Sequence, residues 1–240
     1  MSIGSSAQYY GLFIPLVLFT TSGCGNLPRD PGKTLERVTS QHRIRIGLVE
    51  NQPWVIHSAG EPAGAEVELV REFARSVGAR PEWSGGGEQD HMEALERFEL
   101  DLVIGGLDAT TPWSGKIGIT RPYFEEQFIV GMPPGSQPLQ TLNGVKVAVQ
   151  SGEATAARLA EKHAIPVRVP DISHVAGPIA APAWRLEQMG FIATQFHLSG
   201  KEHVMAVPPG ENGWLKRLGD FLQEQKPNAQ RLLQSSEAIR

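Results

Sequence analysis

DLVIGGLDATTPWSGKIGITRPY, residues 101–123, joins a continuous apolar run to a polar loop. An uninterrupted run such as LVIGG is typical of a strand that is buried on both faces of a parallel sheet. In such sheets, ligands bind beyond the carboxyl ends of the strands. Glycines, threonines, Asp108 and Trp113 follow this strand directly. The loop is therefore either catalytic, ligand-binding or a plain connection between two elements.

The segments before residue 101 alternate between strand and helix patterns. Alternating and apolar runs predict strands, and apolar residues at helical spacing predict amphipathic helices. The strands are RIRIGLVE (43–50) and RPEWS (80–84), and the helices are AEVELVREFARSVG (65–78) and HMEALERFEL (91–100). Together with the run at 101–106, this is the order of a parallel α/β sheet.

The same pattern restarts after residue 135. VKVAVQ (145–150) and IPVRV (165–169) predict strands, and SGEATA (151–156) opens a helix between them. HVAGPIAAPAWRLEQMG (174–190) predicts a helix whose first half is weakened by Pro178 and Pro182. KEHVMAV (201–207) predicts a last strand, and ENGWLKRLGDFLQEQ (211–225) predicts an amphipathic helix.

This order predicts an α/β protein of two lobes. Lobe 1 spans residues 42–134 and 195–240, and a smaller lobe 2, residues 135–194, is inserted in it. The chain crosses between the lobes near residues 131–137 and 191–201. Two such crossings would act as a hinge between nearly rigid bodies.

The first 41 residues do not fit either lobe. An apolar run at residues 12–19 precedes small polar residues and Cys24, the only cysteine. The run is too short for a membrane-spanning helix, which needs about 20 apolar residues. It predicts a signal peptide at residues 1–23 that resembles the bacterial lipobox, with lipidation of Cys24; an ordinary cleaved signal and a free structural cysteine are the alternatives. Residues 24–41 are polar and contain Pro and Gly, so they predict a tether, and the protein would lie in the periplasm or at the cell surface.

The composition argues against several functions. The 22 Lys and Arg are scattered among 26 Asp and Glu, and no basic run marks a nucleic-acid surface. Seven histidines show neither an HExxH motif nor close pairing, so we expect no metal site. The chain has no GxSxG motif and no phosphate-binding loop, and we expect no cofactor and no enzymatic activity.

Several phrases together resemble the bacterial extracellular solute-binding proteins of family 3. They are, in chain order, RIRIGLVENQPWV, GAEVELVREFARSVGARPEW, ALERFELDLVIGGLDATTP, ITRPYF and LNGVKVAVQSGEATA. Each phrase is weak alone, but their order and spacing over residues 43–160 are specific. The resemblance implies a periplasmic-binding-protein-like fold of type II that closes on a small molecule, in many members an amino acid. It also implies an ABC importer in the membrane as the partner.

The resemblance and the strand-end rule together define candidate ligand-binding residues. In lobe 1 they are Glu50, Trp54, Glu66, Gly105, Gly106, Asp108, Thr110, Thr111, Trp113 and Tyr123, and in lobe 2 they are Ser151, Gly152, Glu153 and Thr155. Structural alternatives stay open for several of them. Trp54 could be a lid over the core, Glu66 and Ser151 could cap helices, and the glycines could form a tight turn.

Two departures from the family concern the clamps of its amino-acid receptors. The resemblance implies an arginine that grips the α-carboxylate, but Trp113 stands at that position, and Lys116 is a point charge rather than a fork. The resemblance also implies a lobe 2 aspartate for the amino group, and APAWRLEQMGFIATQF holds no equivalent. A cationic or ring-bearing solute is therefore favoured over an ordinary α-amino acid by Glu50, Trp54, Asp108, Trp113 and Glu153.

The sequence thus predicts a monomeric, membrane-anchored receptor that binds a small solute and hands it to an ABC permease. Two alternatives remain. Cyclohexadienyl dehydratases share the implied fold, and an enzyme of that kind would use Glu153 as its general acid. An interaction or regulatory module outside transport would keep the fold with a degenerate ligand site.

Overall fold

The computed structural model describes residues 1, 4, 30–57, 60–150 and 153–237. The strands are β1 (Arg43–Leu48), β2 (Arg80–Gly85), β3 (Leu102–Asp108), β4 (Gly118–Ile119), β5 (Phe124–Met132), β6 (Lys146–Val149), β7 (Ile165–Arg168), β8 (Ile179–Pro182) and β9 (Ile192–Val207). The helices are α1 (Thr34–Gln41), α2 (Ala65–Ser76), α3 (Glu88–Glu96), α4 (Glu153–Glu161), α5 (Ala183–Gln188) and α6 (Asn212–Glu237). The strands form one mixed sheet in the order β2-β1-β3-β9-β5-β8-β6-β7, and β4 pairs with β9. The predicted two-lobed α/β fold is confirmed.

Lobe 1 is built on the parallel strands β2, β1 and β3. Helices α2 and α6 pack together through aromatic side chains, with the ring centroid of Phe73 5.2 Å from that of Trp214 and 5.3 Å from that of Phe221. All three rings are buried in the main apolar cluster of this lobe. The parallel pairing of β1 with β3 brings the carboxyl ends of these two strands to one edge of the sheet.

Strands β5 and β9 connect the lobes. They pair antiparallel from Phe124 with His203 to Met132 with Ile192, with two shifts of register. Strand β9 also pairs with β3 of lobe 1, and residues 128–131 of β5 pair with β8 of lobe 2. We call β5 and β9 the hinge strands, because they pair with each other while β9 also pairs with lobe 1 and β5 also pairs with lobe 2.

Lobe 2 consists of β8, β6 and β7 with helices α4 and α5, and β6 pairs parallel with both of its neighbours. The helix predicted at residues 174–190 is wrong in its first half, since residues Ile179–Pro182 form β8 and α5 begins at Ala183. Pro178 and Pro182 explain the difference because proline has no N–H group to donate within a helix. The carbonyl of Pro178 instead accepts a hydrogen bond from Ala148 N at 2.9 Å.

The tether predicted at residues 24–41 is not a tether throughout, because Thr34–Gln41 form α1. Val38 of this helix is fully buried, and Arg37 pairs with the buried carboxylate of Asp101, which also pairs with Arg45. The backbone N–H of Thr34 donates to Glu211, whose exposed fraction is 2%. Residues 34–41 therefore pack as part of lobe 1.

Cys24 and residues 5–29 lie outside the described residues. The signal peptide at 1–23 and the lipidation of Cys24 stay predictions for that reason. No helix in the described part of the chain is long and apolar enough to cross a membrane.

Candidate functional site

Two adjoining cavities lie where β1 and β3 end and the lobes face each other. The loop cavity, of about 460 Å³, is formed by the segments that follow β1 and β3. The hinge cavity, of about 320 Å³, takes residues from lobe 1, from the hinge strands and from lobe 2. Asn51 and Gly106 line both cavities, so the two spaces meet at these residues.

The loop cavity brings together most of the polar residues that were predicted in lobe 1. Asp108 Oδ1 accepts hydrogen bonds from the backbone N–H of Thr110 at 2.8 Å and from its hydroxyl at 2.6 Å. Burial acts to raise the pKa of Asp108, but these hydrogen bonds outweigh it and hold the pKa below its ordinary value of 3.8. Asp108 is thus a fixed, ionised acceptor. The predicted residues that line this cavity are Glu50, Gly105, Gly106, Asp108, Thr110 and Thr111.

The two glycines within β3 are required by backbone conformation and by packing. Gly106 has a φ of 65°, and a Cβ there would lie 2.6 Å from Trp54 Cδ1. A Cβ on Gly105 would lie 2.6 Å from the Cβ of Val49. The tight turn that sequence analysis left open is not what the structure shows, because both glycines lie where the pairing of β3 with β9 shifts its register; both also border the cavity.

Glu66 of α2 holds the two glycines of β3 in place. Its Oε2 accepts hydrogen bonds from Gly105 N at 2.6 Å and Gly106 N at 2.9 Å, and its Oε1 accepts one from the hydroxyl of Tyr123. Burial raises the pKa of Glu66 above its ordinary value of 4.5, although these hydrogen bonds oppose the shift. Burial, with the charge of Glu66, also raises the pKa of Tyr123 well above 10.0.

The prediction that Glu66 and Tyr123 contact a solute is therefore corrected. The exposed fraction is 0% for Glu66 and 2% for Tyr123. Their polar atoms already face the loop or each other. Neither residue is among the described residues that line either cavity, so Glu66 and Tyr123 support β3 and do not border the site.

The floor of the hinge cavity is a stack of buried rings joined to one carboxylate. Trp54 lies on His203, with ring centroids 3.9 Å apart and 29° between the ring planes. His203 Nε2 lies 3.4 Å from Glu126 Oε2, and Trp184 Nε1 donates to Glu126 Oε1 at 3.1 Å. Trp54 belongs to lobe 1, Glu126 and His203 to the hinge strands and Trp184 to lobe 2. The network therefore joins all three parts of the fold.

In lobe 2, the wall of the hinge cavity is formed by residues other than those predicted. Ser151 and Gly152 lie outside the described residues, and Glu153 begins α4 without a described side chain. Thr155 is corrected, because it is buried within α4 and is not among the described residues that line either cavity. The wall contains Gln150 and Arg185 instead, and Arg185 Nη1 donates to Gln150 Oε1 at 2.8 Å.

Trp113 does not face the site. Its half-buried ring packs against the apolar cluster that includes Leu107 and Ile117, and Lys116 Nζ lies 5.2 Å from the ring centroid. Trp113 is not among the described residues that line either cavity. The prediction that it stacks on a solute is corrected, because the short 3₁₀ turn Pro112–Gly115 directs the ring onto the core of lobe 1.

Sequence reasoning missed Glu126, Trp184, Arg185, Lys201 and His203. Glu126, Lys201 and His203 meet because β5 and β9 pair in a particular register, with Glu126 opposite Lys201. Trp184 and Arg185 join them because α5 directly follows β8, which pairs with β5. The one available signal was the polar content of FEEQF and KEHVMAV, and only the second of these segments was predicted as a strand. Among the described residues, no group of three or more His, Cys, Asp or Glu side chains could hold a metal ion.

The sequence model of the bacterial extracellular solute-binding proteins, family 3, matches residues 44–234. The chain belongs to this family. Family 3 membership agrees with the resemblance of residues 43–160 and extends it over the last strand and most of α6.

Solved structures show the same fold as this family 3 protein. A polar amino acid ABC uptake transporter substrate-binding protein from Streptococcus thermophilus has a TM-score of 0.71 at 14% identity, over 84% of this chain and 88% of that chain. An ancestral cyclohexadienyl dehydratase has a TM-score of 0.61 at 16% identity, over 85% of this chain and 95% of that chain. At these identities the likeness concerns the fold alone.

A membrane-bound lytic murein transglycosylase F from Vibrio parahaemolyticus serotype O3:K6 (strain RIMD 2210633) is 29% identical over 101 residues. The match covers 42% of this chain and 19% of that protein. The family 3 chain thus matches less than one fifth of the length of this curated relative.

Proposed function

We propose that the protein is an extracytoplasmic receptor that captures a small solute by closure of its lobes and delivers it to an ABC importer. The observation that carries this proposal is the composition of the hinge cavity. Trp54 of lobe 1, Glu126 and His203 of the hinge strands, and Trp184 and Arg185 of lobe 2 all line it. A solute bound there contacts both lobes, so its binding energy favours the closed arrangement.

Family membership supports the receptor part of the proposal, and the importer follows by analogy. The solved protein from Streptococcus thermophilus is named as the substrate-binding protein of an ABC uptake transporter. A signal peptide and lipidation of Cys24 would place such a receptor at the outer face of a membrane, where it would meet a permease. We propose that it works there as a monomer, without covalent chemistry.

The proposed binding residues are those that border the two cavities. In lobe 1 they are Glu50, Trp54, Gly105, Gly106, Asp108, Thr110 and Thr111. Ser151, Gly152 and Glu153 remain proposed contacts from lobe 2. The boundaries proposed for the lobes are 42–134 with 195–240, and 135–194, apart from α1, which packs on lobe 1.

A thermal-shift screen of the purified protein against amino acids, amines, sugars and aromatic acids tests the receptor. Ligand at 100 times its dissociation constant adds about 2.7 kcal/mol to the free energy of unfolding. For a chain of this size the melting temperature should rise by about 5–10 °C.

Two matched variants show whether the rise in melting temperature comes from binding in the cleft. Asn51→Trp fills the junction of the two cavities and should abolish the shift. Asn143→Trp places the same bulk at an exposed position that lines neither cavity and should keep it. A shift that survives Asn51→Trp, or the absence of any shift, contradicts the proposal.

The partial match to a murein transglycosylase favours a second candidate, an interaction or regulatory module of the cell envelope. Such a module would bind peptidoglycan fragments or a partner protein and give no shift with free transport solutes. The dehydratase alternative is tested in the same screen, because consumption of an added solute would show an enzyme.

A further inference from the structure

The last helix of the chain makes a contact between the lobes in addition to the hinge strands. The first part of α6 packs with α2 in lobe 1, where Trp214, Leu218 and Phe221 are buried. Pro227 lies inside the helix, and it has no N–H group to donate to the preceding turn. Beyond Pro227, side chains of α6 bond to α5 of lobe 2. One helix thus touches both lobes.

Polar side chains join this second part of α6 to α5. Glu187 Oε2 accepts hydrogen bonds from Gln230 Nε2 at 2.8 Å and from Gln234 Nε2 at 3.4 Å. Gln188 Nε2 donates to the backbone carbonyl of Gln234 at 3.3 Å. Glu187 and Gln188 follow Trp184 by three and four residues, so the three side chains share one face of α5. This face is the one that meets α6.

The same face of α5 is anchored in the core of the other lobe. Trp184 is a lobe 2 residue, yet it belongs to the main apolar cluster of lobe 1 and is only 4% exposed. Ala229 and Leu233, from the second part of α6, are buried in that cluster as well. Moving α5 away from α6 would return this apolar surface to water, which is unfavourable. The contact therefore resists a rotation of lobe 2.

Part of this contact stands apart from the hinge strands. A cavity of about 180 Å³ lies between β5, α5 and α6, and Glu187 and Gln230 line it together with Phe124 and Gln127 of β5. The bond between Glu187 and Gln230 is therefore separated from β5 by open space. A contact that stands off the two chain crossings restrains rotation of one lobe about them.

We infer that residues 228–236 of α6 form an interlobe strap, which holds lobe 2 in its resting position and sets the opening of the hinge cavity. Ser236, in the last turn of α6, lines the hinge cavity as Trp184 does, so the strap also borders the space that it controls. Glu187 and Gln230 are exposed, and bonds between exposed polar groups open at a small cost in free energy. The strap can therefore release lobe 2 without unfolding either lobe.

The test measures the distance between the lobes in the full chain with no solute present. Spin labels at the exposed positions Ser114→Cys in lobe 1 and Ser173→Cys in lobe 2, with Cys24→Ser, report this distance by pulsed electron resonance. Glu187→Ala removes the acceptor of two strap bonds. It should raise the population outside the main distance by about threefold to tenfold and so broaden the distribution.

Matched variants separate the strap from general damage. Glu161→Ala removes an exposed carboxylate of lobe 2 that is bonded to Arg158 within α4, and it should keep the wild-type distribution. A second pair tests the buried part of the contact. Leu233→Ala removes an anchor of the strap and should broaden the distribution, whereas Leu218→Ala removes the same buried side chain from the first part of α6 and should not.

Broadening by Glu187→Ala or by Leu233→Ala, with the paired control unchanged, supports the strap. The inference fails if neither variant gives this result, either because the distribution stays as in the wild type or because the control broadens it equally. These measurements need no solute, so their failure would leave the proposed receptor intact. Failure of the receptor in the thermal-shift screen would likewise leave the strap intact.

Discussion

Glu66 is a carboxylate that lies entirely inside lobe 1, where three donors converge on it from Gly105, Gly106 and Tyr123. A buried carboxylate with several hydrogen bonds fixes the backbone that it faces, because breaking any of these bonds leaves a desolvated charge. The second half of β3, from which the polar loop starts, is therefore held in place before any solute arrives. The sequence indicated Glu66 as a candidate ligand-binding residue. It could not show whether Glu66 contacts a solute or positions the backbone, because the burial of Glu66 depends on how α2 packs against β3.

The titration of Glu66 gives the first residue-scale prediction. Burial raises its pKa in the folded protein above 4.5, so the folded state holds this proton over a pH interval in which the unfolded chain has lost it. The contribution of Glu66 to stability is then full below pH 4.5 and falls as the pH rises through the folded-state pKa. Urea unfolding should show that Glu66→Gln gains stability relative to the wild type as the pH increases.

Glu68→Gln is the matched control for this experiment. Glu68 lies in the same turn of α2, and its side chain is 44% exposed beside Arg71. Its stability difference from the wild type should change little over the same pH interval. Parallel pH profiles for Glu66→Gln and the wild type would contradict the account of Glu66.

The tryptophans show what residue type alone cannot decide. Trp113 follows the ligand-facing strand and packs away from both cavities, whereas Trp184, in a segment read as a doubtful helix, lies on the floor of one. Both are ordinary apolar residues in the sequence. The four-residue turn Pro112–Gly115 directs Trp113 onto the core, and the start of α5 at Ala183 places Trp184 at the cavity.

At the scale of elements, α1 is the largest departure from the sequence analysis. Its polar composition indicated a tether, yet one apolar residue, Val38, fills a site in the core, and one cation, Arg37, reaches a buried carboxylate. Burial acts to raise the pKa of Asp101, but hydrogen bonds from Arg45 and Arg37 hold it below its ordinary value of 3.8. The ion pair is long-range and has no local signal, whereas Leu35 and Val38, three residues apart and both packed on the core of lobe 1, are a local sign of a helix.

Val38→Ala tests whether α1 belongs to lobe 1. The change removes buried carbon atoms at about 0.8 kcal/mol per methylene and leaves a cavity, so unfolding should require about 2 kcal/mol less. Denaturant unfolding of the purified protein measures this loss. Glu36→Ala, on the exposed side of α1, should change the free energy of unfolding by less than about 0.5 kcal/mol. If both changes alter the free energy of unfolding by the same negligible amount, α1 does not belong to lobe 1 and the tether prediction stands.

Part of the secondary structure was predictable, but β4, β5, β8 and the first half of β9 were not predicted as strands. Apolar runs gave β1, β3 and β6, and helical spacing gave α2 and the start of α6. The pairing of β5 with β9 could not be predicted, because a register between two strands separated by 60 or more residues depends on contacts of the whole fold. Glu126 and His203 were missed for this reason.

At the scale of the whole molecule, the hinge strands place the hinge cavity between lobe 1 and lobe 2. Lobe 1 has an extensive core, and the apolar clusters of lobe 2 are smaller. The order of elements sufficed to predict two lobes, since a repeated strand-helix pattern within a longer chain has few arrangements. The class of solute could not be predicted from the sequence, because the residues that line the cavities come from segments far apart in the chain.

Closure of the lobes on a solute is the central claim, and a distance across the cleft tests it most directly. Spin labels at Ser114→Cys in lobe 1 and Ser173→Cys in lobe 2, both at exposed positions, report this distance when Cys24 is replaced by serine. Pulsed electron resonance should show a shorter distance when a solute that raises the melting temperature is added. A distance that stays the same while that solute is bound would contradict the account.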